Sequence, residues 1–215
     1  ATLSLGAQVV MTNPLYVERE IEHQWKDADV SVAICADFVF ASKIRAMRSK
    51  LPVKHYIIAS IPEYLRFPLN WLAPLKLKRS KPPAIASVRP EPGIFFFRQL
   101  INETSPEPPR VSISLDDLAL LQYTGGTTGV SKGAMLTHRN MSFNLQQLCA
   151  WFPSIQPGQE VFLAALPFFH VMGIVLGIHL PVYIAGAMVV VPNPRDIGLL
   201  VKSIVGSGVT LLPAV

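Results

Sequence analysis

Apolar and polar positions along this chain fall into short blocks whose period switches between two and about three and a half. Ala7 to Met11, Val30 to Cys35, His55 to Ala59 and Leu118 to Tyr123 are short apolar runs of the kind buried in a sheet, and each is predicted as a strand. Between them, Val17 to Ala28 and Phe38 to Lys50 repeat their apolar residues at helical spacing, with Asp37 placed to cap the second. Strand and helix in alternation predict an α/β fold, a doubly wound and mainly parallel sheet. Ten of the nineteen prolines fall between Pro62 and Pro109, so that interval is predicted to be an irregular excursion, with residues 103 to 114 linking back to the core.

The second half repeats the alternation. Ala134-Met135-Leu136 reads as a short strand and Thr137 as the cap of the helix behind it. After a break at Pro153 to Gly158 come Val161 to Leu166, a helix, Ala187 to Val191, a helix from Asp196, and Val209 to Leu212. The predicted organisation is a Rossmann-like subdomain over 1–150 and the first part of a second α/β subdomain over 151–215, divided between Cys149 and Gly158. Val171 to Val191 is long enough to cross a bilayer. Gly173, Gly177, His179, Pro181 and Gly186 interrupt it, which favours a buried helix followed by a buried strand.

Composition adds two constraints. Half the residues are hydrophobic and 15% are charged, a balance suited to buried strands covered by helices. Cys35 and Cys149 stand apart, in apolar runs and without metal or disulfide spacing, so both are expected as buried free thiols in a reducing cytoplasm. The net charge of +5 is local. Between Tyr64 and Pro90 lie Arg66, Lys76, Lys78, Arg79, Lys81 and Arg89 with no acid, interleaved with Leu65, Phe67, Leu69, Trp71, Leu72, Leu75 and Leu77. Such a mixture suits a peripheral contact with an anionic membrane through 64–90, and equally a solvated basic loop. No nucleic-acid-binding motif accompanies it, so nucleic acid is not an expected partner.

The chemistry is concentrated behind the Leu118 strand, in Tyr123-Thr124-Gly125-Gly126-Thr127-Thr128-Gly129-Val130-Ser131-Lys132-Gly133. Glycines let backbone N–H groups converge on an anion, and hydroxyls and an ammonium add donors and charge, so the loop is suited to phosphate. A glycine-rich hairpin between two core strands fits the same residues. A Walker loop does not, because Lys132 follows Ser131 and precedes Gly133, and no helix start comes next.

These residues resemble the phosphate-loop signature Y-T-[SG]-G-T-T-G-x-[PS]-K-G of the adenylate-forming acyl-CoA synthetase superfamily, and Ala134 to Asn140 continue the likeness. Glycine at 125 is similar to the long-chain fatty acid–CoA ligase branch. Leu166-Pro167-Phe168-Phe169-His170-Val171-Met172-Gly173 resembles that family's L-P-x-F-H motif. Gly6 to Val10 with Asn13-Pro14 and Glu18 to Trp25, and Val209 to Pro213, resemble further segments of it, so the likeness runs nearly end to end.

The resemblance implies ATP-dependent activation of a long-chain fatty acid through an acyl-adenylate to acyl-CoA, with ATP, Mg2+ and CoA as cofactor or co-substrates. It implies that Thr124, Gly125, Gly126, Thr127, Thr128, Gly129 and Lys132 bind the nucleotide phosphates, that Lys132 is catalytic and that Thr124 is a metal ligand. His170 and Gly173 would belong to the acyl pocket. An aryl- or medium-chain acyl-CoA ligase, a luciferase-like enzyme, and a non-catalytic adenylate-binding module share the same loop. The family's Tyr-Gly-x-Thr-Glu segment, ribose-binding aspartate, hinge and C-terminal lysine do not occur here. The expectation is a central piece of the family's N-terminal domain that does not complete the reaction alone.

Overall fold

After a single 3-10 turn at Leu3–Leu5, the chain enters β1 (Val9–Val10) and is turned by Asn13, whose side chain accepts from the Leu15 N–H at 2.9 Å. The computed structural model describes residues 1–125 and 130–214. Helix α1 (Glu18–Asp27) follows, its Ile21 and Trp25 buried and its first turn carrying Glu18 and Glu20, which suit the positive end of the helix dipole. Strand β2 (Val32–Ala36) leads into a helical run of four pieces: α2 (Asp37–Val39), a π-turn at Phe40–Ile44, α3 (Arg45–Met47) and a 3-10 turn at Arg48–Lys50. Asp37 therefore stands inside the first turn, one place beyond the expected cap. It accepts from the Phe38 N–H and from the Ser60 hydroxyl, at 2.6 and 2.7 Å.

Strand β3 (His55–Ala59) is followed by the proline-rich interval, which is more ordered than its composition predicts. It holds α4 (Leu69–Arg79), β4 (Ile94–Phe96) and α5 (Phe97–Glu103). The prolines account for the difference by position. Pro62 stands in the first turn of a 3-10 helix at Ile61–Tyr64, Pro68 precedes the first residue of α4, Pro82, Pro83, Pro90 and Pro92 lie between elements, and Pro74 alone falls inside an α-helix.

Strand β5 (Leu118–Thr124) and β6 (Lys132–Thr137) follow, then α6 (His138–Trp151), β7 (Val161–Ala164) and a second broken helical run. That run is α7 (Val171–Ile174), a π-turn at Val175–His179 and α8 (Leu180–Tyr183); β8 (Ala187–Val190) and α9 (Ile197–Ser207) complete the order. The apolar stretch at 171–191 is thus a broken helix and a strand, and no helix among the described residues is long and apolar enough to cross a membrane. Val209 to Leu212 makes one bridge, Leu211 to Phe162, where a strand was expected.

Three sheets result, where the alternation predicts a single Rossmann-like unit over 1–150. Their orders are β1-β5-β6, β2-β3-β4 and β7-β8; all pairs are parallel except β5 with β6. The separation arises because β1 pairs with β5, about a hundred residues on, and not with β2. Two compact units contain them: residues 12–110, and residues 1–11 with 111–215. The predicted boundary at 149–158 lies inside the second of these. Residues 12–110 pack Ile21, Trp25, Phe40, Ile44, Tyr56 and Ile58 around the β2-β3-β4 sheet. In the other unit, Leu145 of α6, Phe162 of β7 and Leu180 and Ile184 form one cluster.

Candidate active site

The loop region begins from a central, buried strand. β5 lies between β1 and β6, with Ala119, Leu120, Gln122 and Tyr123 buried and Thr124 exposed at its end. The chain returns as an antiparallel partner, so the loop joins two strands of a hairpin and is followed by a strand, as its sequence predicts. Thr124 pairs with Lys132, Gln122 with Ala134 and Leu120 with Leu136. Side chains at alternate strand positions share a face, and directly paired residues share it too. Thr124 and Lys132 therefore project from one face at the mouth of the hairpin, with Gln122 on the same face one step in.

The other face explains a glycine. A Cβ on Gly133 would meet the ring of its partner Tyr123 at 3.0 Å, so the bare backbone lets the aromatic ring lie across it. Behind β6, Thr137 caps α6 as predicted. Its Oγ1 accepts from the Asn140 N–H at 3.2 Å, and Asn140 Oδ1 accepts from the Thr137 N–H at 3.0 Å, a reciprocal capping box.

Gly125 lies at the near edge of the loop, where its missing Cβ has open space around it. Gly126, Thr127, Thr128 and Gly129, the middle of the expected phosphate-binding set, lie outside the described residues.

The second expected element is the turn at Pro167 to Gly173. His170 N–H donates to the Pro167 carbonyl at 3.0 Å, and the Ile174 N–H to the His170 carbonyl at 3.0 Å. The His170 imidazole is exposed and its Nδ1 accepts from the Met172 N–H at 3.3 Å, so the side chain caps α7. Gly173 is buried, and the space that its missing side chain leaves is filled by the backbone of Pro167. Its glycine is needed for the turn itself and opens no room for a ligand on that side. Gly177 likewise receives the ring of Phe168, 2.9 Å from where a Cβ would stand.

Gln122, which the sequence reading passes over, connects the two elements. Its Nε2 donates to the Phe169 carbonyl at 3.1 Å, across 47 positions of sequence. The turn that carries His170 therefore meets β5 on the face that carries Thr124 and Lys132. The available signal was a lone amide in the run Leu118-Ala119-Leu120-Leu121-Gln122-Tyr123, where a buried strand has no place for an unpaired polar group.

Metal fit follows from donor chemistry. Thr124 offers one neutral oxygen, and among the described residues no group of three or more His, Cys, Asp and Glu could hold a metal ion. Magnesium is commonly bound by one or two carboxylates together with phosphates and water, so Thr124 fits as a single ligand to an ion carried by a nucleotide.

Comparison with known proteins gives a consistent picture. A family model described as "AMP-binding enzyme" matches residues 1–215. A long-chain-fatty-acid–CoA ligase of Bacillus subtilis (strain 168) is 37% identical over 194 residues, covering 89% of this chain and 34% of that protein. The chain thus spans about a third of the length of the curated relatives it matches. Among solved structures, the anthranilate CoA ligase AuaEII in complex with anthranoyl-AMP aligns over 97% of this chain and 35% of its own, with 20% identity and a TM-score of 0.75. ATP-bound MatB from Rhodopseudomonas palustris aligns over 99% of this chain and 35% of its own, with 22% identity and a TM-score of 0.71.

Proposed function

Because the chain belongs to the AMP-binding enzyme family, we propose that the complete protein is an acid–thiol ligase that uses ATP to activate a long-chain fatty acid and passes the acyl group to CoA. The observation that supports this reading is that Thr124, Lys132 and the His170 turn meet one face at the end of β5; the reading makes the first two phosphate ligands and the turn the acyl side. The fatty-acid ligase relative from Bacillus subtilis supports the substrate class.

In the proposed reaction a carboxylate oxygen attacks the α-phosphorus of ATP, and the bond to pyrophosphate breaks with the electron pair leaving on pyrophosphate. The CoA sulfur then attacks the acyl carbon and AMP departs. An anion must approach a polyanion in the first step, so neutralising the leaving group and aligning the reactants dominate the barrier. Lys132 supplies the ammonium for the leaving phosphates. Thr127 and Thr128 supply hydroxyl donors, and Gly125, Gly126 and Gly129 let backbone N–H groups come close. Thr124 would be one ligand to a magnesium ion carried by the nucleotide, which would supply further positive charge. His170 positions the acyl substrate through the turn that it caps.

Acid-dependent ATP–pyrophosphate exchange by the full-length protein tests the reading. Exchange with long-chain acids and little with aromatic acids is expected. Preference for aromatic or medium-chain acids transfers the protein to another branch, and no exchange with any acid leaves a binding module.

We further propose that residues 64–90 rest on an anionic bilayer. Phe67 and Trp71 are 83% and 72% exposed, and Leu69, Leu72 and Leu75 are exposed beside them on the first two turns of α4. Lys76, Lys78 and Arg79 follow in its last turn. An apolar end with a cationic collar matches the gradient from acyl chains to anionic headgroups. The macrodipole also favours cations in a last turn, but it gives no reason for exposed Phe67 and Trp71. Flotation of the full-length protein with liposomes should occur with anionic lipid and be lost on Phe67→Ser/Trp71→Ser; equal non-binding to anionic and neutral liposomes overturns it.

A further inference from the structure

Gln122 is the single buried polar side chain among the described residues of the unit formed by 1–11 and 111–215, 8% exposed on a strand that otherwise buries apolar groups. An amide in such a place costs more than a methionine or leucine of similar size, because both its ends must be taken out of water. Among the described residues only one end is compensated. Nε2 reaches the Phe169 carbonyl at 3.1 Å and lies 3.4 Å from the Tyr123 carbonyl, while Oε1 is buried with no partner among the described residues.

What this arrangement gives is a link. The other hydrogen bonds described for the turn at Pro167 to Ile174 stay within it and the helical run that follows, through the Pro167 and His170 carbonyls, His170 Nδ1, and the Val171 and Met172 carbonyls that accept from the Val175 N–H. The Gln122 amide ties the turn to the strand at the residue immediately before His170, two positions from Thr124 on the same face.

We propose that Gln122 is a positioning residue of the adenylation reaction: its amide holds the His170 turn in register with Thr124 and Lys132, fixing the gap between acyl carboxylate and phosphate. This rests on the ligase reading above and adds a part to it. A reacting pair displaced by about an ångström loses rate steeply, so the link acts on catalysis more than on stability.

The test uses the full-length protein. Gln122→Met keeps the length and removes the donor; Gln122→Asn keeps an amide that falls short of Phe169, and serves if the first variant does not fold. Either should lower kcat/KM for the acid about tenfold, with the KM for ATP changed less than about twofold. Amide hydrogen exchange in peptides spanning 166–174 should accelerate. On a His170→Ala background the same substitution should add less than about a twofold loss, since both act through one turn. Unchanged kcat/KM, unchanged exchange at 166–174, or full additivity with His170→Ala overturns the proposal. A wild-type protein that exchanges pyrophosphate with no acid sinks the ligase reading instead, and hydrogen exchange then still decides whether Gln122 holds the turn.

Discussion

A Cβ on Gly173 would stand 2.6 Å from the carbonyl carbon of Pro167, and closer still to its oxygen. That carbonyl cannot yield, because it already accepts the His170 N–H that closes the turn. Gly173→Ala should therefore force the backbone apart and destabilise the protein by about 3 kcal/mol, the upper part of the range for overpacking. Gly206→Ala is the contrast. It lies in α9 with nothing within 4 Å of its missing Cβ, and alanine is the better helix former there by about 1 kcal/mol. Denaturant midpoints of the two full-length variants should move in opposite directions; equal loss in both would mean that glycine in general, and not the Pro167 contact, matters.

Lys132 is exposed and stands across the hairpin from Thr124, so removing its side chain should leave the fold alone and act on chemistry. Lys132→Ala in the full-length protein should slow acid-dependent pyrophosphate exchange by about 100-fold or more, the usual loss when one preorganised charge donor is removed. Thermal unfolding should be unaltered. A normal exchange rate takes Lys132 out of the reaction.

Local chemistry made much of this legible in advance. Thr137 is an example, because an N-cap is decided by residues within one helical turn: Thr137→Ala should cost α6 about 1 kcal/mol, read as a lowered denaturant midpoint. Thr124 and Lys132 could be placed at the ends of a loop for the same reason. What the sequence concealed depends on distant partners. The pairing of β1 with β5 skips the strands between them, and the bond from Gln122 to Phe169 crosses 47 positions, beyond any local pattern. In α4, the proline count misled because position decides the outcome, and only Pro74 of that stretch has to be accommodated inside a helix.

Cys35 should be chemically inert. Burial above all, and then the nearby Asp37 carboxylate, push this half-buried thiol from 9.0 up to about 12, so that very little of it is thiolate near neutral pH. Iodoacetamide at pH 8 followed by peptide mapping should find Cys35 unmodified in the native protein and modified after denaturation. Because burial outweighs Asp37, Asp37→Asn should not make it reactive. Rapid native alkylation would mean that this thiol is open to water.

Glu160 should lend the unit a small acid-sensitive stability. Its carboxylate accepts from the Thr210 hydroxyl at 2.5 Å and from the Gln156 N–H at 2.8 Å, and these bonds, Thr210 first, hold it below the usual carboxylate range. A group whose folded pKa is depressed stabilises the native state above its unfolded value, near 4.5, and loses that contribution as pH falls through the folded value. Thr210→Val removes the larger cause, along with the acceptor for the Val161 N–H at 2.9 Å, whose loss does not depend on pH. The gap in melting temperature between wild type and Thr210→Val should therefore be widest at neutral pH, narrow below about pH 4.5 and settle at a residual set by Val161. A gap that is constant from pH 7 to pH 3 would show that the hydroxyl acts through the backbone bond alone.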